Sequence, residues 1–230
     1  MTLSSLMSKV DIMSKPVLTV ETLREEARKF ALAESAHPET TIYGVTDGKA
    51  IGTYLEHKFQ QHLESRYVHA PGNSAMGIDL PGLAVDMKVT SVKQPQSSCP
   101  FKSARQKIYG LGYSVLVFVY DKTDDQTAKT AILNILHTIF IESHRTADYQ
   151  MTRGLLEILG RDGNENDLVA FMQDKMLPVD DIEMGRIAQE LLRTPPEQGY
   201  LTISTAMQWH LGYARVIAQA GEVAGILRIS

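Results

Sequence analysis

The stretch Gly77-Ile78-Asp79-Leu80-Pro81-Gly82-Leu83-Ala84-Val85-Asp86-Met87-Lys88-Val89-Thr90 constrains this chain more than any other. Pro81-Gly82 is the favoured central pair of a type II turn, since proline presets φ at the second position and glycine accepts positive φ at the third. Arms pairing about that turn make a β-hairpin in which Asp79 lies opposite Ala84 and diagonal to Asp86, with both carboxylates on one face roughly 7–8 Å apart at the backbone. Strand alternation puts Lys88 on the same face as Asp86 and turns Met87 into the core. Val85, Met87 and Val89 read as an interior strand, where three charged groups on one face need a chemical reason to be there. Taken alone, an acid-x-lysine triplet also fits the solvated face of an ordinary amphipathic strand, so the surroundings decide.

Two short carboxylates facing across such a gap can share one hard cation. Mg²⁺ takes oxygen ligands at roughly 2.1 Å in near-octahedral geometry and keeps several waters, which is what Asp79, Asp86 and the Met87 backbone carbonyl would leave it. A bound water of lowered pKa is a nucleophile, the ion polarises a phosphoryl oxygen, and Lys88 can orient the water or stabilise developing negative charge. The expected chemistry is phosphodiester hydrolysis.

These residues resemble the PD-(D/E)XK nuclease superfamily, whose signature is an acid at the end of one strand and an acid-x-lysine on the next. Here they are Asp79 and Asp86-Met87-Lys88, with Ile78 where the superfamily usually carries proline. The superfamily also tends to carry a glutamate on the preceding helix, and Glu56 in Gly52-Thr53-Tyr54-Leu55-Glu56-His57-Lys58-Phe59 stands in that place. A helical glutamate beside an apolar stripe is otherwise an ordinary ion-paired residue. The resemblance covers about residues 45–120, and its size and layout are most like a type II restriction endonuclease. It implies an α/β restriction-endonuclease-like core with a central mixed β-sheet flanked by helices, and Mg²⁺-dependent cleavage of double-stranded DNA at a short sequence. By analogy with palindromic sites it also implies a homodimer. The Gln-x-x-x-Tyr pattern of the superfamily's recombination exonucleases is absent, because Gly110 follows Gln106 at that spacing.

With 230 residues, 43% of them hydrophobic and 22% charged, the chain can bury a substantial core as one domain. No apolar run approaches the roughly 18 residues of a membrane span, and a basic-then-apolar signal pattern is lacking, so a cytoplasmic location is expected. Cys99 is the only cysteine, which excludes an intramolecular disulfide and a cysteine-rich zinc site. The net charge of −4 does not mark a nucleic-acid binder, but charge is unevenly placed. From Met87 to Tyr120 there is no acidic residue, while Lys88, Lys93, Lys102, Arg105 and Lys107 are basic. Such a stretch suits a polyanion, and its plain alternative is a solvated basic face.

Candidate DNA contacts follow from residue type. Asn73 sits in the loop leading into Asp79; Lys93, Gln94, Gln96, Ser97, Ser98, Lys102 and Arg105 lie in and after a Gln-, Ser- and Pro-rich segment read as a loop. Arg145, Gln150 and Arg153 are of the types that read guanine and adenine, although simple surface chemistry accounts for all of these equally well.

The remaining pattern gives helices over Thr22–Ala33 and from Asp47-Gly48 onward, where Ile51, Leu55, Phe59, Leu63 and Tyr67 form one stripe. Ser103 is expected to cap a helix ending at Gly112. Tyr113–Tyr120 reads as a central strand buried on both faces, and 132–141 as a strand ending near Ile141. We expect a catalytic core over about 45–150, a helical insertion over about 154–193 and a C-terminal helix over about 204–220, with Trp209 in the core. Gln208, His210 and Arg215 around that tryptophan leave a contact role open. A structure-specific repair or recombination nuclease and a non-catalytic nucleic-acid-binding module are the alternative readings.

Overall fold

A computed structural model of the chain describes residues 15–70, 77–99, 102–204 and 210–230. These described residues fall into two compact units, the first made of those up to 93 with 117–138 and 229–230, the second of those between 94 and 116 and between 139 and 228.

The first unit begins with helix α1, Val20–Ser35. Thr19 caps it, accepting a bond from Thr22 N while the Thr22 hydroxyl accepts from Thr19 N. Helix α2, Gly48–Glu64, starts where the Asp47 carboxylate accepts the amides of Lys49 and Ala50. Its stripe is buried as the four-residue repeat requires, through Ile51, Leu55, Phe59 and Leu63, whereas Tyr67 lies past the helix end. Phe59 meets Phe30 of α1 at 5.0 Å and Phe118 at 5.2 Å between ring centroids, both in the tilted or edge-on arrangements that aromatic quadrupoles favour. Helix α2 packs on strand β1, Val85–Ser91.

The expected two-residue turn is replaced by a 3₁₀ turn over Pro81–Leu83, closed by Ala84 in the left-handed region at φ 51°. Proline starts the turn and forfeits no hydrogen bond there, and the positive φ falls on Ala84 instead of Gly82. Leu80 then pairs antiparallel with Val85, so the register places Asp79 across from Asp86, not across from Ala84. The carboxylates are therefore nearer each other than the diagonal arrangement would have them.

Strands β3, Ser114–Asp125, and β4, Thr130–Ile141, complete this part of the sheet in the order β1-β3-β4. β3 is buried on both faces from Val115 to Tyr120, as its β-branched and aromatic run requires. The sheet is mixed, with helices flanking it, as expected of a restriction-endonuclease-like core.

In the second unit β3 begins and β4 ends, and β7, Ile226–Arg228, pairs antiparallel with β4 at Ile139–Ile141. A small sheet runs β2-β6-β5, formed by Gln96–Ser98, His210–Gly212 and Thr202–Ile203. This corrects two expectations. The Gln- and Ser-rich segment is not all loop, because Ser97 in β2 pairs with Leu211 and its hydroxyl lies 2.6 Å from that of Tyr213. The C-terminal helix over 204–220 shrinks to α7, Ala214–Gln219, because 210–212 is taken by the central strand of this sheet. Trp209 lies outside the described residues.

Helix α3, Gln106–Tyr109, is a single turn stopped at Gly110, whose φ of 86° only glycine adopts freely, so it ends two residues before Gly112. Helices α4, Tyr149–Leu159, α5, Glu165–Asp174, and α6, Asp181–Arg193, bury Met151, Leu155, Leu168, Met172, Ile187 and Leu191 together with Ile108 of α3. At Gly199 the chain passes so close to residue 147 that a Cβ would stand 2.2 Å from the Ala147 carbonyl oxygen, which itself accepts from Leu201 N. Neither backbone can retreat without losing that bond. Gly199→Ala is expected to cost about 1–3 kcal/mol, read as a lower urea midpoint at unchanged slope.

Candidate active site

Strand β1 carries the centre of the site. Alternation buries Val85 and Met87 in the core while Asp86 and Lys88 share the other face. Asp86 is 2% exposed, a position a carboxylate occupies only for a reason. Lys88 Nζ stands 2.6 Å from Asp86 Oδ2 in an ion pair, yet Oδ2 makes no angularly sound hydrogen bond. Across the turn, Asp79 Oδ2 accepts the Met87 amide at 2.9 Å, which fixes that carboxylate against the strand. Its partly exposed flank remains open. Glu56 projects from α2, which packs on β1, and its carboxyl feels the charges of Asp79, Lys88 and Asp86. All four charged residues singled out in the sequence therefore belong to one cluster within the first unit.

The electrostatics follow from burial and crowding. Burial, with the negative charges of Asp79 and Asp86 adding to it, pushes Glu56 up to about 7. Burial likewise pushes Asp86 up to about 6, Asp79 adding to the rise and Lys88 opposing it. Burial pulls the Lys88 ammonium down, but the carboxylates of Asp86, Asp79 and Glu56 outweigh it and hold the side chain as a cation. Three acids facing one lysine form a site that gains by accepting a further positive charge.

The donor set suits a hard divalent ion. A buried carboxylate oxygen without a hydrogen bond faces a second carboxylate, and every candidate ligand is oxygen. Among the described residues no three His, Cys, Asp or Glu side chains are grouped so as to enclose a metal ion.

The acid-free stretch resolves differently from its sequence. Arg105 is fully engaged, its Nε 2.6 Å from Glu183 Oε1 and its Nη1 2.7 Å from Glu190 Oε2 on α6. Lys107 is buried, and burial lowers its pKa. These two cannot line an open basic face; Lys93, with Asp121 at 3.9 Å, and Lys102 are exposed. Gln94, Gln96 and Ser98 are exposed at or next to β2, and Ser97 is held by Tyr213. Arg145 donates to the carbonyls of Ala224 and Gln198; Gln150 is exposed, and Arg153 pairs with Glu157. Asn73 lies outside the described residues.

The crowding has a measurable consequence without metal. Glu56 binds its proton more tightly folded than unfolded, so the folded state loses stability as pH rises from about 4.5 to about 7 and stays lowered above. In chelator at pH 8, Glu56→Gln is expected to melt above the parent, by about 2–4 °C for each kcal/mol of repulsion relieved. At pH 4.5 the two should melt together.

The family model described as type II restriction enzyme NspV matches residues 17–228. The type II restriction enzyme NspV of Nostoc sp. (strain ATCC 29411 / PCC 7524) is 63% identical over 213 residues, which cover 93% of this chain and 97% of that protein. No solved structure matches. With a family match over almost its whole length, the chain belongs to the NspV family of type II restriction enzymes.

Proposed function

We propose that this site-specific deoxyribonuclease cuts duplex DNA with Asp79 and Asp86 as ligands of Mg²⁺, the Met87 carbonyl as a third, Lys88 as the cation beside the reacting phosphate, and Glu56 supporting the metal site. The observation that carries the reading is the buried Asp86 oxygen without a hydrogen bond, facing Asp79 across the turn. Type II restriction enzymes generally use divalent metal ions. When bound, such an ion lowers the pKa of a coordinated water and neutralises phosphoryl charge.

The chain's own residues do the rest. Asp86 is buried on β1, an edge strand covered by α2, and Asp79 is fixed by the Met87 amide, so neither carboxylate has to reorganise on binding. Lys88, beside Asp86 at 2.6 Å, positions or activates the attacking water and stabilises charge developing on the phosphate. Glu56 adds negative potential that draws the cation in. The protein acts as a homodimer, because a palindromic site presents the same half-site twice. No helix among the described residues is long and apolar enough to cross a membrane, and the cytoplasm is where such an enzyme meets its DNA.

Digestion of a defined plasmid with purified protein, in Mg²⁺ or in EDTA, tests the assignment. Discrete bands are expected in Mg²⁺, none in EDTA, and none with Asp86→Ala or Lys88→Ala at matched stability. A retained band pattern in Asp86→Ala would refute the site, and smears governed by ends or flaps would favour a structure-specific nuclease. Sedimentation of the DNA complex at the mass of the duplex plus two chains is expected for the dimer; a single chain per site would overturn it.

A further inference from the structure

Arginines of the second unit are mostly committed to protein partners: Arg105 to Glu183 and Glu190, Arg153 to Glu157, Arg186 to Glu183, Arg145 to two backbone carbonyls. Arg215 on α7 differs. Its guanidinium carbon lies 3.6 Å from the centroid of the Tyr149 ring, its Nε is buried with no hydrogen-bond partner, and it makes no ion pair among the described residues. Arg215 is only partly buried, so its terminal Nη groups, unlike the enclosed Nε, are the donors that a partner from outside the chain can reach.

The platform beneath it is rigid. Tyr149 opens α4, its amide bonded to the Leu201 carbonyl and its own carbonyl accepting from Gln198 Nε2. Beside it, 5.7 Å away between centroids, is Tyr200, over which the Arg145 guanidinium sits at 5.8 Å. The Asp148 carboxylate ties this corner down by accepting the amides of Met151 and Ile203. Arg215 itself follows Tyr213, which is fully buried and whose hydroxyl meets Ser97. Stacking uses one face of the guanidinium and leaves the in-plane edge, where its donors lie, to a ligand. An oriented planar fork with unused donors matches the two acceptors that guanine presents in the major groove. A phosphate would need only a positive charge, without an aromatic platform to hold a plane.

We propose that Arg215 is a specificity-determining contact of the restriction reaction, its fork donating to O6 and N7 of a guanine in the recognition sequence. The assignment rests on the reading of the chain as a site-specific endonuclease. It also places base reading in the second unit and the metal-binding carboxylates in the first.

The test begins by mapping the site cut by the wild-type protein in Mg²⁺. The ratio of kcat/KM on that site to kcat/KM on duplexes with one G·C pair replaced is then measured for wild type, Arg215→Lys, Arg215→Ala and Tyr149→Leu. Discrimination at one G·C position is expected to shrink by about 5- to 150-fold in Arg215→Lys, which keeps the charge, and by less in Tyr149→Leu. Non-specific binding in EDTA and its salt slope should stay unchanged in Arg215→Lys, with melting temperatures matched. Undiminished discrimination in Arg215→Lys overturns the proposal. So does a uniform loss on all duplexes with a salt slope lower by about one in Arg215→Ala, which marks a phosphate contact. A mapped site without a G·C pair overturns it outright. Absence of discrete bands from wild type would instead defeat the endonuclease reading beneath it.

Discussion

Like charges held together against water are what the first unit exists to maintain. Asp79, Asp86 and Glu56 face one ammonium, and burial pushes both Asp86 and Glu56 above their ordinary range. A cluster of this kind disperses unless its backbone is over-determined. The apolar side of β1, the packing of α2 on it, and the Phe30, Phe59 and Phe118 rings behind supply that rigidity. The folded chain tolerates the repulsion because its core carries the stabilising terms, a common division between a strained site and its scaffold.

Buried acids elsewhere in the same unit show what a settled carboxylate looks like. Glu26, 3% exposed, has His62 Nε2 at 2.7 Å, Lys29 Nζ at 3.0 Å and the Tyr67 hydroxyl at 3.3 Å. Burial opposes its ionisation, but these partners outweigh it and the carboxyl falls below its ordinary range. Glu34 likewise meets the Tyr54 hydroxyl at 2.9 Å and Lys58 at 2.8 Å. Both are knots tying α1 to α2. Asp86 has Lys88 alone against it, with Asp79 facing it, and its carboxyl rises where that of Glu26 falls.

Most of the first unit's secondary structure was legible from local pattern. The Asp86-x-Lys88 spacing with apolar neighbours, the four-residue stripe of α2 and the buried run of β3 each depend on periodicity that a single segment contains. What failed depended on partners distant in the chain. Pro81-Gly82 fits two turn types equally, and which one forms shifts the register by two residues, from Asp79 opposite Ala84 to Asp79 opposite Asp86. Arg105 and Lys107 look available until α6 brings in Glu183 and Glu190 and until the helical core closes over the lysine. Arg215 stood out only as a neighbour of Trp209, because the stacking that orients it comes from Tyr149, many residues earlier.

The way the chain is divided between its two units also bears on inheritance. Boundaries fall after residues 93, 116, 138 and 228, two of them inside the long strands β3 and β4. Neither unit is encoded by one continuous stretch of gene. A recombination event that imported residues 139–228 from a relative would leave 94–116 behind, separating Arg105 from Glu183 and Glu190, and Ile108 from the helices that enclose it. Exchange of one such stretch between unlike chains would therefore leave mismatched cores, so the two units are constrained to change together along the chain.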